Sequence, residues 1–290
     1  MKKPTVLVTG ANGQLGQDLR WISKQMEDVE FLFTTRQTMD VTNASEVRTI
    51  LSKWQPDYVI NCAAYTAVDK AETEISQAFR INRDAVMLLG EECSLIDAKL
   101  IHISTDYVYD SISGTPIDES AACQPRSIYG QSKLAGEEML RLSQTKWMVL
   151  RVSWLYSSYG NNFVKTMLRL GEQKDQLTIV SDQKGAPTYA RHLARDILLL
   201  IVKDIKQEIT WGVVYNYCNS GETNWADFAQ EIFDQSGHSC DIKTTTTADY
   251  GAPAPRPLWS VMDTSAISQS LHINTSPWKD ALAECLQDMR

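Results

Sequence analysis

Paired cysteines at metal-type or redox-type spacing are missing from this chain. Its six cysteines, Cys62, Cys93, Cys123, Cys218, Cys240 and Cys285, are scattered, and no two form a CxxC. In a chain of 290 residues they read as reduced, mostly buried thiols of a cytoplasmic protein. The four histidines, His102, His192, His238 and His272, are equally dispersed. Neither set has metal-ligand spacing, so no resident metal is expected. No apolar run approaches the ~20 residues of a membrane span. The start, Met1-Lys2-Lys3-Pro4, passes at once into a short strand and glycines, without the longer apolar region a signal peptide needs. An excess of positive charge is absent too. The net charge is -8, which argues against a nucleic-acid or anionic-membrane partner. There is no internal repeat and no low-complexity segment.

What is present begins with a strand, a glycine turn and a helix. Thr5-Val6-Leu7-Val8-Thr9 is β-branched, Gly10-Ala11-Asn12-Gly13-Gln14-Leu15-Gly16 follows, and Leu15, Leu19, Ile22 and Met26 then recur at helical spacing. That order is the context of a dinucleotide fingerprint, here spaced GxxGxxG rather than GxGxxG. Glycines let a pyrophosphate approach the backbone, and the helix N-terminus offers it unpaired N–H groups. A glycine-rich turn without a ligand is the alternative.

The second strand, Glu30-Phe31-Leu32-Phe33-Thr34, runs into Thr35-Arg36. An NAD-selective site places Asp or Glu there for the ribose 2′-hydroxyl. Arginine with neighbouring hydroxyls suits a 2′-phosphate, so the pattern predicts a preference for NADPH. An arginine on an exposed loop is the alternative. Asp40-Val41-Thr42-Asn43 reads as the cap of the next helix, and Asp40 is also placed to reach the adenine. Tyr58 to Ala64 is an apolar central strand ending in small residues that leave room for a cofactor. A helix is predicted from Glu72 to Glu92. Asn82 inside it is a poor helix former and has either a polar task or a solvated position.

Leu100-Ile101-His102-Ile103-Ser104-Thr105-Asp106 is a strand that turns polar at its carboxyl end, where open α/β sheets hold ligands. Ser104, Thr105 and Asp106 are therefore placed for chemistry, and His102 reads as a packed side chain. A loop spans 110–126. Then Tyr129-Gly130-Gln131-Ser132-Lys133 opens a helix carrying Leu134, Met139, Leu140 and Leu142. Positions i and i+4 share a helix face. A free tyrosine has a pKa near ~10, and a nearby ammonium lowers it. The spacing thus predicts a phenol tuned for proton donation to a carbonyl.

Beyond Trp154 the alternation loosens. Helices are predicted from Gly160 to Leu170, from Ala190 to Val202 and from Trp225 to Phe233, and strands at Leu177–Val180 and Val213–Tyr217. Ser276-Pro277 should open a last helix as N-cap and first helical residue. With 43% hydrophobic residues, the chain is predicted to be an α/β protein: a Rossmann-type, doubly wound parallel sheet with a smaller C-terminal lobe. The division expected is residues 1–154, with 190–218 returning to them, against 155–189 and 219–290.

The glycine turn, the strand-end hydroxyl and the YxxxK helix together resemble the extended short-chain dehydrogenase/reductase superfamily. The runs Asn61 to Glu72, Ser104 to Tyr109, Tyr129 to Glu137, Arg151 to Tyr156, Gly160 to Leu168 and Asp182 to Thr188 resemble the dTDP-4-dehydrorhamnose reductase family, as far as about Pro257. The resemblance implies reduction of the 4-keto group of dTDP-4-dehydro-L-rhamnose with NADPH or NADH, in polysaccharide biosynthesis. It implies Tyr129 as proton donor, Lys133 as the partner that lowers its pKa, and Thr105 as holder of the sugar. Thr66, Val68, Asp106 and Trp154 would line the sugar side, with Arg256 on the diphosphate or merely exposed in its proline-rich loop. Gly10, Gly13, Gln14, Leu15, Gly16, Arg36, Asp40, Val41, Ala63, Ala64, Tyr65, Ile103 and Tyr129 would contact the cofactor, and Lys133 would also bond the nicotinamide ribose. Some relatives form a dimer bridged by magnesium on glutamates. Asp18 and Arg191 stand at the matching positions, and an arginine cannot ligate a cation, so a monomer or weak homodimer without magnesium is expected. The rival readings are an epimerase or dehydratase of the same fold and a non-catalytic regulatory subunit. Dehydratases usually carry an acid directly after the Thr-Asp pair, where this chain has Tyr107.

Overall fold

The computed structural model describes residues 3–110 and 114–290. Met1, Lys2 and the Ser111, Ile112 and Ser113 part of the predicted loop lie outside them. Six strands form one sheet: β1 (Thr5–Thr9), β2 (Glu30–Phe33), β3 (Tyr58–Asn61), β4 (Lys99–Thr105), β5 (Lys146–Val152) and β6 (Val213–Tyr217). Their spatial order is β6-β5-β4-β3-β1-β2, and every pairing is parallel. The sheet is thus the doubly wound α/β arrangement expected. From β1 the chain steps outward to β2 and then returns to β3 on the other side. Open sheets bind ligands at such a reversal, beyond the carboxyl ends of the strands.

Alternation along the strands divides the core into two layers. Val6, Val8, Ile60 and Ile101 pack on one face against Leu15 and Leu19 of α1 (Gln14–Ser23) and Leu193 and Ile197 of α5 (Ala190–Ile205). Leu7, Val59 and Leu100 point the other way. They meet Val47 and Leu51 of α2 (Ala44–Trp54), Leu89 of α3 (Ala85–Leu95) and Leu140 of α4 (Ile128–Leu142). Burying one such side chain contributes roughly 1.5–3 kcal/mol. A separate cluster gathers Tyr156, Val164, Met167, Phe228, Phe233, Trp278 and Leu282. Short strand pairs frame it: Gln176–Val180 with Asp241–Thr245, and Leu155–Tyr156 with Thr188–Tyr189.

Several elements depart from the sequence expectation. The helix predicted from Glu72 to Glu92 is preceded by a short helix at Val68–Ala71 and runs as Ile75–Phe79, a π-helical turn at Arg80–Asp84, and α3. The π turn aims Asn82 inward, where it is fully buried and accepts from Tyr65 N at 2.8 Å. Its amide donates to Tyr65 O at 3.0 Å and Ser132 Oγ at 2.9 Å, so its task is polar and internal. The cap of α2 is Asn43 itself, which accepts from Ser45 N and Glu46 N. Asp40 instead accepts from Thr42 N and Oγ1. The last helix starts one residue late, with Pro277 as its cap and Trp278–Gln287 as its body.

Candidate active site

The turn after β1 is shaped by contact with the next strand. Gly10 has φ +63, and a Cβ on it would lie 2.7 Å from Ala63 N. No other residue could hold that turn against the end of β3. The result is a cleft of about 720 Å³ lined by Gly10, Gly13, Arg36, Asp40, Val41, Ala63 and Ala64, seven of the residues predicted for the cofactor. Asn12, Thr35 and Arg80 join them. Burial raises the Asp40 pKa, but bonds from Thr42 and the charges of Arg36 and Arg80 outweigh it, and the net shift is downward. Arg36 Nε stands 3.7 Å from Asp40 Oδ2. Two arginines and two hydroxyls at one end, and a side-chain-free backbone at the other, fit a phosphorylated dinucleotide. Arg80 was not singled out from the sequence. It follows Ser76 by one helical turn, and both line the cleft.

The remaining cofactor candidates are more dispersed. Leu15 is buried in the core and Gly16 packs on Gly10 and Ala11, so neither presents a side chain to the cleft. Gln14 accepts from Asn162 Nδ2 at 2.9 Å. Tyr65 turns its hydroxyl to Glu74 at 2.8 Å. Ile103 offers its carbonyl, not its side chain, to Lys133.

At the carboxyl end of β4, Thr105 caps a short 3-10 turn, Asp106–Val108. Its hydroxyl donates to Asp106 Oδ1 at 3.0 Å and stands near the Tyr129 hydroxyl. Tyr129 enters from the first turn of α4, whose Ser127 cap accepts from Gly130 N. Gly130 is needed for this approach, because a Cβ there would fall 2.3 Å from Tyr107 O. The Tyr107 and Tyr129 rings meet edge to face at 5.5 Å. They share an apolar cluster with Tyr65 and Val68.

The expected depression of the Tyr129 pKa is absent. Burial pushes the phenol up to about 12, against the nearby Thr105 hydroxyl, and the Asp106 charge adds to the rise. Lys133 is also buried, and burial brings its amine down to about 8, with Glu137 and Cys62 opposing. Its amino group donates to Ile103 O at 2.6 Å and lies 3.2 Å from His102 Nε2. Desolvation of the phenol therefore exceeds any help from the lysine. At neutral pH Tyr129 is a loaded acid.

Ser104 takes no part in this end. Its side chain points to the opposite face of β4 and donates to Glu137 at 2.5 Å. Glu137 on α4 also grips Arg151 on β5, with Nη2–Oε2 at 2.7 Å and both side chains sealed from solvent. That pair fixes the helix carrying Tyr129 and Lys133 to the sheet. Removing one partner of such a pair costs about 3–5 kcal/mol.

Asp106 is fully enclosed, and burial raises its pKa to about 6 despite bonds from Thr105 and its neighbours. Its Oδ2 meets no donor in hydrogen-bonding geometry, although the Ser260 hydroxyl stands nearby. Trp154 adopts a left-handed backbone at φ +46, a strained position that costs about 1–3 kcal/mol. Its ring stacks on Trp225 at 3.7 Å and 10°. Trp225 drew no notice in the sequence beyond its place at a helix start. Thr66 is exposed on the loop after β3. Arg256 is neither free nor merely exposed: it is bound to Asp69 through both terminal nitrogens. Arg191 pairs with Asp18 at 2.9 Å and Asp288 at 2.8 Å. Among the described residues no group of three acidic, histidine or cysteine side chains could hold a metal ion.

Residues 4–290 match the family described as RmlD substrate binding domain. The chain belongs to this family. A dTDP-4-dehydrorhamnose reductase of Aggregatibacter actinomycetemcomitans is 37% identical over 96% of this chain and 96% of its own. A spore coat polysaccharide biosynthesis protein of Bacillus subtilis is 39% identical over 98% of this chain and 97% of its own. The crystal structure of the dTDP-4-dehydrorhamnose reductase of Bacillus anthracis, in complex with NADP, superposes with a TM-score of 0.93, at 35% identity and 99% coverage of both chains. RmlD-family membership and the geometry thus agree on an oxidoreductase of the Rossmann type.

Proposed function

We propose that this chain reduces the 4-keto group of dTDP-4-dehydro-L-rhamnose to give dTDP-L-rhamnose, with NADPH as reductant and NADH as the weaker alternative. The observation that carries the reading is the buried, protonated Tyr129 phenol near the Thr105 hydroxyl at the carboxyl end of β4. The names of the family's reductases supply the substrate class.

A reduced nicotinamide, when bound, supplies the hydride for C4 of the sugar. This chain's residues supply everything else. Tyr129 gives its proton to the C4 oxygen as negative charge gathers there, and Thr105 donates a second hydrogen bond by turning its one hydroxyl proton from Asp106 to that oxygen. An alkoxide is a stronger base than a phenolate, so the transfer is favourable even from a raised phenol. Donors already aimed at the developing charge supply the largest part of catalysis in many enzymes. Lys133, when charged, stabilises the phenolate left behind. Asp106 Oδ2, buried without a partner, is suited to accept from a sugar hydroxyl. Thr66, Val68 and Trp154 border the same side. Gly10 and Gly13 admit the pyrophosphate, and Arg36 with Arg80 hold the 2′-phosphate.

We read residues 1–154 with 190–218 as the dinucleotide-binding part, and 155–189 with 219–290 as the sugar lobe. The separate aromatic cluster around Phe228 supports that division, although Ile267, Leu271 and Ile273 pack into the core of the large sheet. Arg191, already bound to Asp18, supports a monomer or weak homodimer without a bridging metal.

The test is to supply dTDP-4-dehydrorhamnose and NADPH and identify the product sugar by NMR. Stoichiometric loss of NADPH with formation of dTDP-L-rhamnose is expected. Sugar change without net loss of NADPH would mean an epimerase or dehydratase, and no turnover would mean a binding module.

A further inference from the structure

The loop at 157–162 lies across the start of α1 and is fastened to it at two points one helical turn apart. Ser157 Oγ donates to Asp18 Oδ2 at 2.6 Å, and Asn162 Nδ2 donates to Gln14 Oε1 at 2.9 Å. Gly160 makes the close approach possible: its φ is +66, and a Cβ on it would lie 3.0 Å from Gln14 Cγ. In the division read above, the loop belongs to the sugar lobe and α1 to the dinucleotide-binding part.

The direction of the Asn162–Gln14 bond is set from both ends of the Asn162 amide. Its Oδ1 accepts from Lys165 N at 3.0 Å as the cap of the helix Phe163–Gly171. Lys165 lies in the first turn, where an N–H has no carbonyl of its own helix to use. The Asn162 Nδ2 faces the carbonyl oxygens of Ser157 at 2.7 Å and Tyr159 at 3.3 Å. A backbone N–H only donates and a carbonyl only accepts, so a flipped amide would lose the cap and set oxygen against oxygen. Nδ2 therefore offers Gln14 a hydrogen, and the Gln14 oxygen must turn to it. The Gln14 amide nitrogen is left as a donor, and among the described residues it donates to none.

Gln14 is the first residue of α1, directly after Gly13, which lines the cleft and caps the helix without a side-chain bond. The N–H groups of that first turn are left for an anion. We infer that Asn162 is a positioning residue for the coenzyme: it holds the Gln14 amide so that its N–H groups join those of the backbone on the pyrophosphate. The sugar lobe thereby shapes the pyrophosphate site. The inference rests on the reading of the cleft as a dinucleotide site, and not on the choice of sugar.

Asn162→Ser keeps a capping oxygen for Lys165 N but has no amide nitrogen for Gln14. Fluorescence titration of the full chain with NADPH should show its Kd raised about three- to tenfold, the share of one hydrogen bond. Gln14→Ala should raise it about tenfold or more, since a bond to a charged group is lost. Adding Asn162→Ser to Gln14→Ala should cost nothing further, because the asparagine acts through the glutamine. Adenosine 2′-phosphate, which carries no pyrophosphate, should bind each variant as it binds the wild type in calorimetry. An unchanged NADPH Kd in Asn162→Ser, a further loss in the double variant, or an equal loss for adenosine 2′-phosphate overturns the inference. If Asn162→Ser does not fold, Gln14→Glu decides. It keeps an acceptor for Asn162 and puts a negative oxygen in place of the donor, so NADPH should bind about tenfold more weakly or worse. An unchanged Kd there overturns the inference, whereas wild-type protein that binds no NADPH removes the dinucleotide reading itself.

Discussion

Arg256 holds Asp69 with two parallel bonds, Nη1 to Oδ1 and Nη2 to Oδ2, each 2.9 Å long. The pair ties the proline-rich loop at Gly251–Pro257 to the short helix after β3, beside Tyr107 and Tyr129. The Arg256 hydrogen bond is also the main cause of the low Asp69 pKa. If Arg256 is to meet a diphosphate, it must share or leave this carboxylate. Arg256→Ala is expected to weaken dTDP binding about tenfold or more, as loss of a charge-assisted pair does. Asp69→Asn should strengthen it by releasing the guanidinium. Calorimetric titration of dTDP into both variants checks this; equal affinities would remove Arg256 from the substrate site.

Tyr129→Phe removes the proton donor and leaves the ring packed against Tyr107. Turnover should fall about 10²- to 10⁴-fold, the usual contribution of a positioned acid. NADPH affinity should change little, since the cleft residues are untouched. Steady-state kinetics with fluorescence titration of NADPH separates the two effects. Turnover within a fewfold of wild type would dismiss Tyr129 as the acid.

Arg36 and Arg80 bear on coenzyme choice. Arg36 is largely exposed, so its pairing with Asp40 is worth little. Its charge matters most to a 2′-phosphate. Arg36→Ala should raise the Kd for NADPH about tenfold and leave that for NADH nearly unchanged. Wild-type protein that binds the two equally would show that the phosphate is not read here.

Asp106 makes stability and function pull in opposite directions. Its folded-state pKa of about 6 lies above the ordinary aspartate value of 3.8. Between those values the folded state binds more proton than the unfolded one, so stability falls as pH rises through that window and stays reduced above it. Asp106→Asn removes the buried charge. It should stabilise the protein by about 1–3 kcal/mol at pH 7.5 and by much less at pH 4. Urea unfolding at the two pH values measures the difference. Sugar-nucleotide reduction should weaken in the same variant, because the amide can place a donor where the carboxylate accepts.

Much of the sheet could be read from short apolar runs. Val6, Leu7 and Val8, or Leu100 and Ile101, carry their own instruction about facing two layers, because successive side chains of a strand point opposite ways. The same local logic identified Gly10, Tyr129 and Lys133. A glycine turn between strand and helix, and a pair four apart on a helix, are properties of consecutive residues. Their identity and order also place the chain in its family.

Pairing between distant segments lay beyond that logic. Nothing near Asn82 in sequence says that a π turn will aim it at Tyr65, or that Arg80 will line the cleft. Arg256 and Asp69 are 187 positions apart, and only the folded chain makes them partners. The Tyr129 pKa shows the same division most clearly. Spacing from Lys133 alone suggests a lowered value, but burial acts on the phenol from every side. The sequence determined that Tyr129 and Lys133 would share one helix face. The tertiary structure decided their charge, because desolvation depends on all the atoms packed around a group and not on its neighbours along the chain.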